Sequence, residues 1–114
     1  MAISELRYAA QLVDKDGNAF KFDDIGCMLR YLREHGLPQR RVYVMDFINQ
    51  QWLQAESAVL VKSDAIKSPM ASALAAFRDQ PAAQQFVKKN SGQVMSFSEL
   101  MNREAAATQA RRRP

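Results

Sequence analysis

The sequence predicts an α+β fold of two β-β-α-β repeats, with antiparallel sheets and helices packed on one face. Three observations carry that expectation. Ala19-Phe20-Lys21-Phe22-Asp23-Asp24, a helix, Gly36 and Val42-Tyr43-Val44-Met45 are echoed by Ala75-Ala76-Phe77-Arg78-Asp79, a helix, Gly92 and Val94-Met95-Ser96-Phe97. Phe22 stands two before Asp24, as Phe77 stands two before Asp79. Ile25, Met28, Leu29 and Leu32 recur at i, i+3, i+4 and i+7, one apolar face of a helix.

Taken in order, Leu6 to Val13 reads as a first strand, with Tyr8 and β-branched Val13. Asp14-Lys15-Asp16-Gly17-Asn18 has Asp-Gly turn chemistry, and Ala19 to Phe22 returns as the second strand of a hairpin. Asp23 or Asp24 offers a cap for the first helix, Gly36 suits its end and Pro38 forbids continuation. Arg41 to Ile48 alternates Tyr43, Met45 and Phe47 against Val42, Val44 and Asp46, a strand with a buried face. Gln50 to Ala55 is a polar connection carrying the sole Trp, and reads as a short strand or a turn. Ala58 to Lys62 is a β-branched strand. Ser72 to Phe77 stays open between strand and helix, and its Ala and Leu favour helix by propensity. Asp79-Gln80-Pro81 starts a helix that buries Ala82, Ala83, Phe86 and Val87 and ends at Gly92. Gln93 to Phe97 is the last strand, and Ser98 to Met101 starts a short helix. One domain over residues 1–101 is expected, followed by a disordered basic tail at 102–114.

Composition excludes several classes. Cys27 is the only cysteine, so neither an internal disulfide nor a zinc site of several thiolates can form. The net charge of +4 owes three units to Arg111, Arg112 and Arg113 in the tail, which leaves the body near neutral and argues against nucleic acid. No apolar run reaches the length of a membrane span. The chain opens almost directly into a strand pattern, so it is expected to be soluble as given: cytosolic, or starting at a Met1 that is not the natural beginning.

Candidate chemistry is sparse. Cys27, Tyr31 and His35 follow one line of the first helix, but eight residues at ~1.5 Å rise put Cys27 and His35 about 12 Å apart. They cannot share an ion or form a nucleophile and base, so no enzyme is expected. Cys27 follows the cap, where helix amides favour a thiolate; as a small buried hydrophobe it needs no such role. His35 in the last turn suits the helix dipole. Asp23 and Asp24 point apart as neighbours, and capping accounts for them. The remaining candidate is Met70, in Ala65-Ile66-Lys67-Ser68-Pro69-Met70-Ala71-Ser72-Ala73. Pro69 fixes its own φ and drives Ser68 into extended conformation, and the following residues are mostly small. A thioether held at such a bend is a soft ligand suited to Cu(I). A gap-filling core methionine is the other reading of the same residue.

Several fragments together resemble the NosL family: Arg7-Tyr8-Ala9-Ala10-Gln11, Phe22-Asp23-Asp24-Ile25-Gly26-Cys27-Met28-Leu29, Val44-Met45-Asp46, Trp52 to Ala58, Ser68-Pro69-Met70 and Gly92-Gln93-Val94. Their order and spacing extend over about residues 1 to 100. The resemblance implies a lipid-anchored periplasmic Cu(I) chaperone that serves nitrous oxide reductase or its assembly machinery during denitrification. It also implies two metal ligands. Met70 matches the methionine of the family's Pro-Met turn, and Met1 matches the methionine of its Cys-x-Met motif. The motif's cysteine, the lipidated cysteine and the signal peptide have no counterpart before Met1. The chain is therefore expected to be an N-terminally truncated member that binds Cu(I) poorly as given; a divergent member that has lost copper is the other explanation. Cys27 would substitute only if the fold brings it near Met70. The alternative function is a protein-interaction module of the same fold, in which the methionines are only core. A relationship to organomercurial lyases, whose fold the family resembles, would call for paired thiols, and the single Cys27 opposes it.

Overall fold

The first hairpin is closed by Asp14, whose carboxylate accepts hydrogen bonds at 2.9 Å from the amides of Asp16 and Asn18. The structure is a computed structural model that describes residues 6–35, 41–68 and 72–102. The hairpin joins β1 (Ala10–Val13) to β2 (Ala19–Phe22), and α1 (Ile25–His35) and β3 (Arg41–Met45) follow. After β4 (Trp52–Gln54) the same order returns as β5 (Val59–Lys62), β6 (Leu74–Phe77), α2 (Gln80–Asn90) and β7 (Gln93–Ser96). The two sheets run β2-β1-β3-β4 and β6-β5-β7, and every pairing within them is antiparallel. Ala10 pairs with Phe22 on one side and Val44 on the other, as Val59 pairs with Phe77 and Ser96. The halves therefore repeat in register as well as in order.

Each helix covers one face of its own sheet. Ile25, Met28, Leu29 and Leu32 of α1 pack with Ala10, Leu12 and Val44 of the first sheet. Ala83 of α2, with Ala82, Phe86 and Val87 half-buried around it, packs on Val61, Ala75 and Phe77 of the second. The second sheet turns its other face, Leu60, Leu74, Ala76 and Met95, into the first core. It is thus a middle layer, buried on both sides.

That burial decides the segment left open between strand and helix. All four residues of β6 are buried: Leu74 and Ala76 face one core, Ala75 and Phe77 the other. A helix would not present alternate residues to two separate cores, so tertiary context overrides the helical propensity of Ala and Leu. Two other expectations shift at their ends. The segment from Leu6 begins as a 3-10 turn, Leu6–Tyr8, closed by the Ala9 amide on the Leu6 carbonyl at 3.0 Å, before β1 starts. The strand expected to reach Ile48 stops at Met45, because Asp46 folds the chain back. The buried Asp46 carboxylate accepts from the Ile48 amide at 3.1 Å and the Asn49 side chain at 3.2 Å. The Phe47 amide then donates to the Ala76 carbonyl at 2.8 Å, which ties the first sheet to β6.

Caps explain the helix limits. Asp79 caps α2, accepting from Ala82 N at 3.0 Å, with Pro81 in the first turn. Asp24 is the acid that caps α1: its carbonyl accepts from Cys27 N at 3.1 Å, and its buried carboxylate accepts from Gly26 N at 2.7 Å. Residues 97–102 are helical. Ser96 and Glu99 start this turn by each accepting the other's amide, at 3.1 and 3.2 Å. The expected end of α1 at Gly36 and most of the basic tail lie outside the described residues.

Candidate metal-binding site

Met1 and Met70, the two expected metal ligands, lie outside the described residues. What the structure defines is the support on either side of Met70. The β5–β6 connection, residues 63–73, occupies the place that the five-residue Asp14–Asn18 turn holds in the first repeat. Its ends are drawn together by the Ser63 amide on the Ala73 carbonyl at 3.0 Å. Ser63 also begins a turn, with its carbonyl accepting from Ile66 N at 3.0 Å and its hydroxyl from Ala65 N at 3.2 Å. Ile66 then inserts into the second core.

Across the residues that flank Pro69-Met70-Ala71, the Ser68 and Ser72 hydroxyls lie 3.2 Å apart, and Ser68 Oγ accepts from Ala73 N at 3.2 Å. Ala73 adopts a left-handed φ of 63°, the sharp corner through which the chain enters β6. Beside this collar lies an open depression of about 370 Å³, lined by Asp64, Ile66, Lys67, Ser68 and Ala73.

The first turn of α1 abuts the collar. A Cβ at Gly26 would lie 2.5 Å from the Cβ of Ser72. This places the turn that carries Cys27 against a residue two positions beyond Met70. Cys27 is half-buried and unoxidised, and its pKa is raised, first by burial, then by the Asp24 and Asp23 carboxylates, against a smaller opposing effect of Arg30. The helix amides expected to favour a thiolate do not prevail. Below its pKa the thiol stays protonated, so alkylation by iodoacetamide is expected to be slow at neutral pH. Its rate should climb about tenfold per pH unit and still be rising at about pH 9. A plateau at or below about pH 8 would show an activated thiolate instead. Because the folded thiol holds its proton more tightly than the unfolded one, this group's contribution to stability falls as pH rises past the unfolded pKa.

His35 sits at the far end of α1 from Cys27, stacked on Tyr31 at 4.1 Å with Nδ1 3.0 Å from the Tyr31 carbonyl oxygen. The helix keeps the two apart. Among the described residues no cluster of three or more His, Cys, Asp or Glu could hold a metal ion.

The N-terminal turn enters the fold beside β3 and β6. Tyr8 within it is buried in the same cluster as Ile66 of the β5–β6 connection. The segments leading to the two expected ligands are thus anchored in one core. Composition and periodicity single out neither Gly26 nor the Ser68–Ser72 pair. The available signals were a glycine in a helical first turn, where it weakens the helix, and two serines bracketing Pro-Met.

The fold is shared with a solved protein. The crystal structure of the copper chaperone NosL from Shewanella denitrificans aligns with a TM-score of 0.71 at 19% identity, covering 80% of this chain and 76% of that one. No curated protein sequence matches. The family model NosL matches residues 1–105. That match takes in both repeats, the β5–β6 connection and the helix after β7, and the chain belongs to the NosL family.

Proposed function

We propose that this protein is a copper chaperone, taking up Cu(I) through thioether sulfur and passing it to a partner metalloprotein by ligand exchange. The match to the NosL family along residues 1–105 carries this reading, and the fold shared with a copper chaperone supports it. Met70 and Met1 are the proposed ligands. The hydroxyl collar at Ser68 and Ser72 suits the role, because it joins the residues that flank Pro69-Met70-Ala71 on both sides. Thioethers are neutral and soft, so they favour Cu(I) over harder divalent ions and release it readily to a thiolate or imidazole on the acceptor. No bond is made or broken in the cargo, and the protein needs no turnover chemistry. Nitrous oxide reductase or its assembly machinery is the proposed acceptor, and the periplasm, with a lipid anchor on the full-length protein, the proposed location.

The test is a titration of Cu(I) against a chromophoric Cu(I) chelator. Met70→Ala should lower the affinity at least tenfold, about 1.4 kcal/mol, and X-ray absorption should show less copper–sulfur scattering. Unchanged affinity and scattering in Met70→Ala would remove Met70 from the site.

A further inference from the structure

A groove of about 170 Å³ runs between α2 and the turn that follows β3. Phe47 and Ile48 form one wall, Ala82 and Phe86 the other, and the buried Phe77 lies at its base. Both walls are held in place. The Phe47 amide donates to the Ala76 carbonyl at 2.8 Å, and the Asp46 carboxylate accepts from the Ile48 amide at 3.1 Å. Phe86 packs 5.5 Å from Phe77 and 5.6 Å from Phe47, centroid to centroid. Ile48 nevertheless leaves 58% of its surface in water. One exposed isoleucine is ordinary on a protein surface; one at the lip of a preformed, carbon-lined groove offers a place for an apolar side chain.

The charge around the groove is of one sign. Among the described residues that line it, Lys89 is the single charged one. The Arg7 guanidinium lies 5.4 Å from the Phe47 ring centre, and Arg78 is held to the same turn by the Gln51 side-chain oxygen at 2.6 Å. The acids nearest in sequence to the two walls are already engaged. Asp79 caps α2 through Ala82 N at 3.0 Å, and the buried Asp46 accepts within its own turn. We propose that this groove docks a segment of a partner protein that carries one large apolar side chain flanked by carboxylates. The apolar group fills the space along Ile48 and Phe86, and the acids face Lys89, Arg7 and Arg78. Complementary charge selects such a partner over a second copy of this chain, which has a net charge of +4 and brings the same cations. The surface goes beyond the copper reading and stands whether or not the protein carries metal.

The experiment pans a random peptide library displayed on phage against the full chain without copper. Enriched sequences should share a Leu, Phe or Trp with Asp or Glu on either side. A synthetic peptide of that consensus, titrated into ¹⁵N-labelled protein, should shift the amide signals of Ile48, Gln85 and Lys89, and should bind more weakly as salt rises. Ile48→Ser and Lys89→Glu should each lower its affinity about tenfold. Both side chains are exposed, so both variants should fold, and they sit on separate elements, so either alone keeps the test available. Lys89→Glu should in turn regain affinity for the same peptide with lysines in place of its acids.

No enriched peptide, a consensus without acids, or amide shifts confined to another face would overturn the proposal. So would equal affinity in the wild type, Ile48→Ser and Lys89→Glu. Residues 1–5 include Ile3 and Glu5 and precede the Leu6–Tyr8 turn. A peptide that binds only after their removal would assign the groove to that segment of the chain itself. A concentration-dependent dimer that Ile48→Ser dissolves would assign it to a second copy. Either result removes the partner.

Discussion

Phe77→Ala is expected to destabilise the protein by about 3–5 kcal/mol, a large share of the ~5–15 kcal/mol that holds a domain of this size. Phe77 is fully buried at the end of β6. Its ring packs 5.6 Å from Phe47 and 5.5 Å from Phe86, centroid to centroid. Phe47 in turn lies 5.8 Å from Tyr8 and 5.6 Å from Phe86, with the Arg7 guanidinium 5.4 Å from its ring centre. Removing Phe77 leaves a void bounded by a helix, two strands and the N-terminal turn, and no one of these can collapse alone into the gap. Phe22, at the same place in the first repeat, is only half-buried, so Phe22→Ala should cost clearly less. Urea denaturation of both variants measures the difference. Equal losses would mean that the aromatic cluster adds nothing beyond the ordinary burial of a phenylalanine.

Gly92→Ala should be the second severe change, at about 3 kcal/mol. The residue has a φ of +131°, and a Cβ there would approach the Lys62 carbonyl oxygen and the Ser63 Cβ to 2.8 Å each. Backbone strain and a collision with backbone act together. The obstacle lies at the end of β5, where Lys62 pairs with Gln93 and the β5–β6 connection begins at Ser63. The loss should therefore extend beyond stability: a shifted Ser63 loosens the base of the β5–β6 connection. Gly17 provides the control, since its φ of +85° is also positive but a Cβ added there would meet nothing within 4 Å. Gly17→Ala should cost only the conformational term, about 1–2 kcal/mol. Equal denaturation midpoints for the two alanine variants would show that the contact with Lys62 and Ser63 is unimportant.

The part of the molecule legible from residues follows from local rules. The Asp-Gly hairpin, the apolar stripe of α1 and the Asp79-Pro81 start of α2 each depend on neighbours in sequence, and each stands where its residues indicate. The repeat was legible for a related reason: Phe22 and Phe77 occupy equal offsets from their capping acids, and the strand registers carry that equality into space. Ser72 to Phe77 was not decidable in this way. Its four strand residues are small or apolar on both faces, a pattern without alternation, and only burial between two cores distinguishes strand from helix. The end of β3 escaped for a different reason. Asp46 continues the alternation in sequence, but its carboxylate is engaged by Ile48 and Asn49 in a turn.

The sequence by itself determined the class of fold, the duplicated order of elements and the family, because these depend on periodicity, turn residues and short motifs that survive in one dimension. It also marked Met70 as a candidate ligand through the stiff Ser68-Pro69 bend before it. Only the tertiary structure decided what lies against Ser72, on the far side of that stretch. Contact between the first turn of α1 and Ser72 joins residues 46 positions apart, and the absence of a side chain at Gly26 has meaning only once its neighbour is in place. The state of Cys27 is decided in the same way: burial, a tertiary effect, is the first cause of its raised pKa, and the sequence neighbours Asp24 and Asp23 add to it.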